Sequence, residues 1–391
     1  MPADRIKGLA PSPTLALMAK VQELRAQGAD VVSFAAGEPD FATPEPVREA
    51  AIQAIRDGFT RYTAGAGMPE LRAAVARKLK RENGVSVDPN QVIVSCGAKH
   101  AVFNALMAVC NPGDEVIMIV PCWPTYREQI LLAGGTPIAV RTGASNEYVP
   151  TMDQLREAVT GRTAAIIVNS PCNPTGAVFP RSTMKEIAAL ALRHELYVIS
   201  DEIYEQHVYD GEKHVSVASL GREIADRTIT VGGVSKSFAM TGWRIGWSAS
   251  SPEIARAIST IQDQVTSNAS SVSQKAALCA LEMPSDIAQN MVGEFDKRRR
   301  FMLEELAKIP GLNCYRPKGA FYAFPDLSSV IGGRVGDDAE LAIFLLEEHK
   351  VACVPGSAFS GAGHLRLTYA MGRDEIAEGL RRLSEGVRSL S

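Results

Sequence analysis

The sequence predicts an α/β fold, with a large domain on a mostly parallel sheet and a smaller α+β domain attached. Short, strongly apolar runs recur at residues 91–95, 115–120, 164–168, 197–200, 228–231 and 245–249. Stretches with helical spacing, such as 181–194, lie between most of them. Strands this apolar are buried on both faces, which helical crossovers in a parallel sheet achieve. A chain of 391 residues also exceeds what one small core accommodates, so two domains are expected.

The first 45 or so residues carry too little pattern to fold alone and are expected to pack on the C-terminal part. Residues 69–81 have helical spacing and stop at Asn83-Gly84, a C-cap signal. After the first strand, Gly97 opens a helical pattern running to Cys110, and the turn Asn111-Pro112-Gly113-Asp114 leads into the second. The larger domain is read as 46–283. Beyond it come a long helical stretch at 285–307, a strand-like segment at 320–325 and a helix near 338–349. Strand-like runs at 351–354 and 364–369 precede a final helix from about Arg373. Residues 1–45 with 284–391 are assigned to the smaller domain.

Composition narrows the function classes. Apolar residues make up 46%, charged residues 22%, and the formal net charge is -3. The basic stretch Lys297-Arg298-Arg299-Arg300 falls inside a helical pattern and reads as a solvated helix face, so nucleic acid is not an implied partner. No apolar run approaches the ~18 residues of a membrane helix. Residues 1–11 lack the apolar core of a signal peptide. Seven widely spaced cysteines without a C-x-x-C pair argue against a disulfide framework or a zinc site, and fit a reducing cytoplasm.

The segment Ser235-Lys236-Ser237-Phe238-Ala239-Met240-Thr241-Gly242-Trp243-Arg244-Ile245-Gly246 follows a strand-like run. It should leave the sheet at its C-terminal edge, where open α/β folds bind ligands. A buried lysine there shifts its pKa downward and can form a Schiff base with a carbonyl, and Arg244 would supply an anion site nearby. Asn173, in Ser170-Pro171-Cys172-Asn173-Pro174-Thr175-Gly176, follows another strand, as does Asp201 in Ser200-Asp201-Glu202-Ile203-Tyr204. A carboxylate at the end of a buried strand needs a partner, and a protonated ring nitrogen suits it. Spacing of three lets Asp201 and Tyr204 face one pocket. Taken singly, these residues have plainer readings: a surface lysine, a turn at Asn173, a helix N-cap at Asp201.

Together with His364-Leu365-Arg366-Leu367, these motifs occur in the order found in class I aminotransferases, and the sequence resembles that family from about Gly8 to its end. It is most similar to the bacterial aspartate aminotransferase subgroup typical of thermophiles and rhizobia. The resemblance implies a fold-type I pyridoxal-phosphate enzyme, a homodimer with active sites at the subunit interface. It implies that Lys236 carries the cofactor and acts as base and acid, that Asp201 pairs with the pyridine nitrogen, and that Tyr204 and Asn173 hydrogen-bond the phenolic oxygen. Trp123 would stack on the ring; Arg244, Ser235 and the helix start at Gly97, Ala98 and Lys99 would hold the phosphate. Tyr62 would reach the phosphate of the partner subunit. Gly37 would contact substrate through its backbone, and Arg366 would grip the α-carboxylate. No arginine occurs between Arg256 and Arg298, and the subgroup resemblance implies that Lys99, with Ser12 and Thr14 near the N-terminus, would read a distal carboxylate instead.

Two positions depart from the family pattern. Gly233 stands where a phosphate-contacting serine is usual, leaving Ser235 to compensate, and Cys172 replaces a common asparagine. A thiol at that place is expected to be sensitive to oxidation. The implied reaction is amino-group transfer between an L-amino acid, aspartate or glutamate first, and a 2-oxo acid. Aromatic or prephenate transamination, and carbon–sulfur β-elimination, use the same α-carbanion and stay open. A cofactor-binding sensor domain of a transcription regulator would need an added helix-turn-helix, for which the pattern starting within the first ten residues leaves no room.

Overall fold

The computed structural model describes residues 3–390 apart from Ser12 and Ser285. Its centre is a seven-stranded sheet formed by β1 (Val92–Ser95), β2 (Glu115–Val120), β3 (Thr136–Arg141), β4 (Thr163–Asn169), β5 (Tyr197–Asp201), β6 (Thr228–Gly233) and β7 (Gly246–Ala249). The spatial order is β1-β7-β6-β5-β4-β2-β3. All pairings are parallel except those of β7, which runs antiparallel to both β1 and β6. Every residue of β1, β2, β6 and β7 is buried. Helices cover both faces, so the backbone ladder runs through two apolar cores.

β3 is the strand that apolar patterning did not reveal. It lies at a sheet edge, is mostly exposed or half-buried, and contains Pro137. Edge strands tolerate proline and need no continuous apolar run, so the signal is weak there. The helix Pro69–Lys78 runs on as a π-turn, Leu79–Asn83, and ends at Gly84 with φ 68°, the left-handed cap that the Asn-Gly pair suggested.

A second sheet, three-stranded and antiparallel, consists of Tyr322–Ala323, Leu365–Thr368 and Val354–Pro355, with Leu365–Thr368 central. Helices Asp286–Leu306, Asp338–His349 and Arg373–Arg388 pack around it, burying Phe295, Phe321, Leu345 and Leu380. From the N-terminal segment, Val32–Ser33 pairs in parallel with Val351–Ala352, and Phe34 enters the same core.

The basic stretch at 297–300 corrects the sequence reading. Lys297 and Arg300 are exposed, but Arg299 is fully buried. Its guanidinium forms a double contact with Asp210 at 2.8 and 2.9 Å, bonds Asp296 at 2.6 Å and donates to the Pro317 carbonyl at 2.7 Å. The charge run looks solvated in sequence because one of the two acids that pair with Arg299, Asp210, lies far away along the chain.

Candidate active site

Strand register decides where the site forms. Asn169 is paired with Asp201, Asp201 with Val231, and Gly233 with Gly246, so the strands end at one level. The connections leaving that edge carry Trp123, Asn173, Tyr204 and Lys236, and Arg244 lies just ahead of β7. They surround a cavity of about 340 Å³. Lys236, Asp201, Tyr204, Asn173 and Trp123 line it, with Ser235 and Arg244. Ala98 and Lys99 enter from the start of helix Ala98–Val109, Gly37 and Thr14 from the N-terminal segment, and Arg366 from the second sheet.

Asp201 is 3% exposed. Its Oδ2 accepts from the Tyr126 hydroxyl at 2.7 Å and its Oδ1 from the Ile203 amide at 3.2 Å. Desolvation lifts the carboxyl to about 6, against the pull of those two donors and of Lys236. Asn169 braces the neighbourhood: its Nδ2 donates to the Asp201 carbonyl and its Oδ1 accepts from the Asn173 amide, both at 3.0 Å.

Lys236 donates to the Gly37 carbonyl at 2.5 Å. Desolvation pushes its ammonium down to about 8; Arg366 and Arg244 push the same way, while Glu38 and Asp201 oppose them. An amine so placed gives up its proton far more readily than an ordinary lysine, as a nucleophile or general base requires.

Arg366 is 2% exposed, with its guanidinium 4.5 Å from the Tyr322 ring centre. It donates to the Ala35 carbonyl at 2.8 Å and to Asn173 Oδ1 at 3.1 Å, and its Nε has no partner. A buried guanidinium on a cavity wall, with no carboxylate paired to it among the described residues, calls for an anionic ligand.

Gly97 makes the helix start possible. At φ 89° it caps helix Ala98–Val109, and a Cβ there would lie 2.4 Å from Arg244 Nη2. Gly233, the first departure, is also explained by close approach. A Cβ would sit 3.0 Å from the Ile245 carbonyl and 3.1 Å from Ile203 Cδ1, so a serine there needs a wider spacing of β6 and β7. Cys172 is buried, contacts the Pro121 carbonyl at 3.5 Å, and is pushed by burial to about 11. Burial disfavours its thiolate, which works against the expected sensitivity to oxidation.

Tyr62 stands apart, 92% exposed and outside the cavity. Ser12 lies outside the described residues. Among the cavity residues that escaped the sequence reading are Tyr126, Asn169 and Tyr322. Tyr126 follows Trp123 at helical spacing and Asn169 ends a strand, so both had a positional signal; Tyr322 sits in an ordinary apolar run.

A model of the family described as aminotransferase class I and II matches residues 29–383. A probable aspartate/prephenate aminotransferase of Aquifex aeolicus is 45% identical over 390 residues, 99% of each chain. The chain belongs to the class I and II aminotransferases. Among solved structures, an aspartate aminotransferase from Thermus thermophilus with maleate matches at TM-score 0.93 and 42% identity over 99% of each chain. The aspartate aminotransferase from Rhizobium meliloti matches at TM-score 0.96 and 39% identity over the whole of both. The protein is therefore a fold-type I, pyridoxal-phosphate-dependent aminotransferase. The donor set suits that cofactor, which presents an aldehyde, a basic ring nitrogen, a phenolic oxygen and a phosphate. The cavity offers a lysine of lowered pKa, a buried carboxylate, a phenol with an amide, and a guanidinium beside a helix start.

In this aminotransferase the turn from Asp201 to Tyr204 is fastened from behind by a buried ionic cluster. Glu202 accepts from Ser200 and Ser216 at 2.8 and 2.7 Å, and from Asn83 and His214 at 3.0 Å. Lys78 and Asn83 bond Glu205, so a lysine supplies cationic charge among Glu202, Glu205 and His214. Asn83 reaches the cluster from the π-turn.

Burial works against charge on His214, but Glu202 and Glu205 outweigh burial and the opposing Lys78, so its pKa is raised. Glu202 is lowered despite burial, chiefly by His214. His214 thus contributes stability that is complete below its unfolded value of about 6.5 and lost as pH rises through the raised folded value. Glu202 contributes above its unfolded value of about 4.3 and loses that contribution as pH falls through its lowered value. The melting temperature should therefore decline above about pH 6.5, and His214→Gln should remove part of that decline. Parallel curves for the parent and the variant would sink this account.

Proposed function

We propose that this aminotransferase moves the amino group of aspartate or glutamate to a 2-oxo acid, with Lys236 as the covalent attachment point of the cofactor. The observation that carries the substrate reading is a pair of cationic side chains, Arg366 and Lys99, on the one cavity that holds Lys236. A dicarboxylic amino acid presents one carboxylate to each. Related proteins carry names that agree: aspartate aminotransferase in Bacillus subtilis, aspartate/prephenate aminotransferase in Thermus thermophilus.

When bound, pyridoxal phosphate supplies an aldehyde and an electron-withdrawing ring. Lys236 Nζ takes the proton from the substrate α-carbon and later returns it. Asp201 holds a proton at the ring nitrogen through its free lone pairs. Tyr204 and Asn173 hydrogen-bond the phenolic oxygen, and Trp123 packs on the ring face. Arg244, Ser235 and the Gly97-Ala98-Lys99 helix start hold the phosphate. Gly37 contacts substrate through its backbone, Arg366 takes the α-carboxylate, and Thr14 lies beside the distal end. Residues 46–283 form the cofactor-binding domain, and 1–45 with 284–391 the smaller one.

The working form in this proposal is a cytoplasmic homodimer with shared sites. A tyrosine 92% exposed, as Tyr62 is, has a ring that a partner subunit would cover. Seven unpaired cysteines suit a reducing compartment. Among the described residues no helix is long and apolar enough to cross a membrane.

Lysine is a point charge and discriminates less sharply than a guanidinium fork. Lys99 lies 4.9 Å from the Trp123 ring centre, where it can turn aside, so aromatic amino acids and prephenate form the second reading. A carbon–sulfur lyase would release ammonia from an amino donor, whereas a transaminase converts its bound cofactor to the amine form.

Borohydride reduction of the yellow holoenzyme should place the adduct on the Lys236 peptide; an adduct on another lysine would refute the attachment. Sedimentation should give a dimer, and a monomer fully active at high dilution would exclude shared sites. Lys99→Ala should raise the KM for aspartate about tenfold or more, corresponding to roughly 1.4 kcal/mol of lost charge pairing, while phenylalanine is spared. Equal losses for both donors would show that Lys99 does not read the side chain.

A further inference from the structure

Tyr322 lines the cavity from the second sheet, with its ring packed against Phe321 at 4.8 Å and beneath the Arg366 guanidinium. Its hydroxyl lies 2.9 Å from the hydroxyl of Tyr204. A Cβ on Gly37 would come within 3.3 Å of the same hydroxyl, so that residue closes the other side. Among the described residues, Tyr204 is the hydrogen-bond partner of the Tyr322 hydroxyl.

We propose that Tyr322 is a positioning residue for the reaction, donating to the Tyr204 oxygen and so making Tyr204 a stronger donor into the cavity. A phenol has one proton and two lone pairs. Once Tyr204 commits its proton to the phenolic oxygen of the cofactor, the contact with Tyr322 has one possible direction, from Tyr322 to Tyr204. Donors in such a chain polarise one another, by about 10–30% per bond. Both phenols are buried and held above the ordinary tyrosine range, so they act as hydrogen-bond donors and not as phenolates.

The inference rests on the proposed contact of Tyr204 with the cofactor and adds a residue that acts through it. A donor to the phenolic oxygen draws off negative charge that would otherwise retain the proton on the Lys236–cofactor linkage. Weakening that donor raises the pH at which the linkage loses its proton. Glu38, Arg366, Arg244 and Asp201 also face Lys236, and Arg366, Asp201 and Glu38 influence the two phenols. These groups are unchanged by removing a hydroxyl.

The test is a pH titration of the cofactor's visible absorbance in the parent holoenzyme, Tyr322→Phe, Tyr204→Phe and the double variant. Tyr204→Phe should raise the midpoint, and Tyr322→Phe should raise it by less, on the order of a few tenths of a pH unit. In the Tyr204→Phe background, Tyr322→Phe should add nothing, because its route is gone. No shift in Tyr322→Phe, or a shift of the same size in both backgrounds, overturns the relay and leaves the role of Tyr204 intact. If Tyr204→Phe itself leaves the midpoint in place, the assigned role of Tyr204 fails, and the relay with it. The double variant removes both hydroxyls and leaves neither without its partner.

Discussion

Asp201 ends a central strand with a carboxylate that water scarcely reaches, and much of the surrounding structure serves to keep it there. A lone buried carboxylate would take up a proton or unfold its surroundings. Here Tyr126 and the Ile203 amide hold its oxygens, Asn169 holds its carbonyl, and the cluster behind Glu202 fixes the turn that follows. The same desolvation that raises Asp201 lowers Lys236, because burial disfavours charge of either sign. The result is a carboxyl near 6 and an amine near 8 facing one cavity, so the first is largely ionised at neutrality while the second can give up its proton.

The parts of this arrangement legible in the sequence are those carried by strand ends. Lys236, Asp201 and Asn173 each follow an apolar run closely, so the run itself points to the C-terminal edge of the sheet. Arg366 was legible for a related reason, a charged residue inside an apolar strand. Contacts between distant segments left no such trace. Tyr204 and Tyr322 are 118 residues apart, and neither neighbourhood marks the other. Arg299 failed as a reading in the same way, since Asp210 is 89 residues away. The edge strand Thr136–Arg141 was missed because an edge is only partly desolvated, and patterning reports desolvation.

Position 172 shows how surroundings decide reactivity. By sequence it is a thiol beside a site residue; in the fold it is dry, bonded to the Pro121 carbonyl and kept protonated. Proximity to a reactive group is not access to it.

The antiparallel placement of Gly246–Ala249 beside Thr228–Gly233 has a mechanical consequence. Both ends of the connection bearing Lys236 and Arg244 are clamped to adjacent strands, so those two side chains ride on a single closed loop. Arg366 belongs to a different sheet and reaches the cavity from outside that loop. Any displacement of one sheet against the other would alter the distance from Arg366 to Lys236 while leaving Lys236 and Arg244 in fixed relation. In the proposed reading, such a shift would move the carboxylate-binding guanidinium without moving the two side chains that would hold the cofactor.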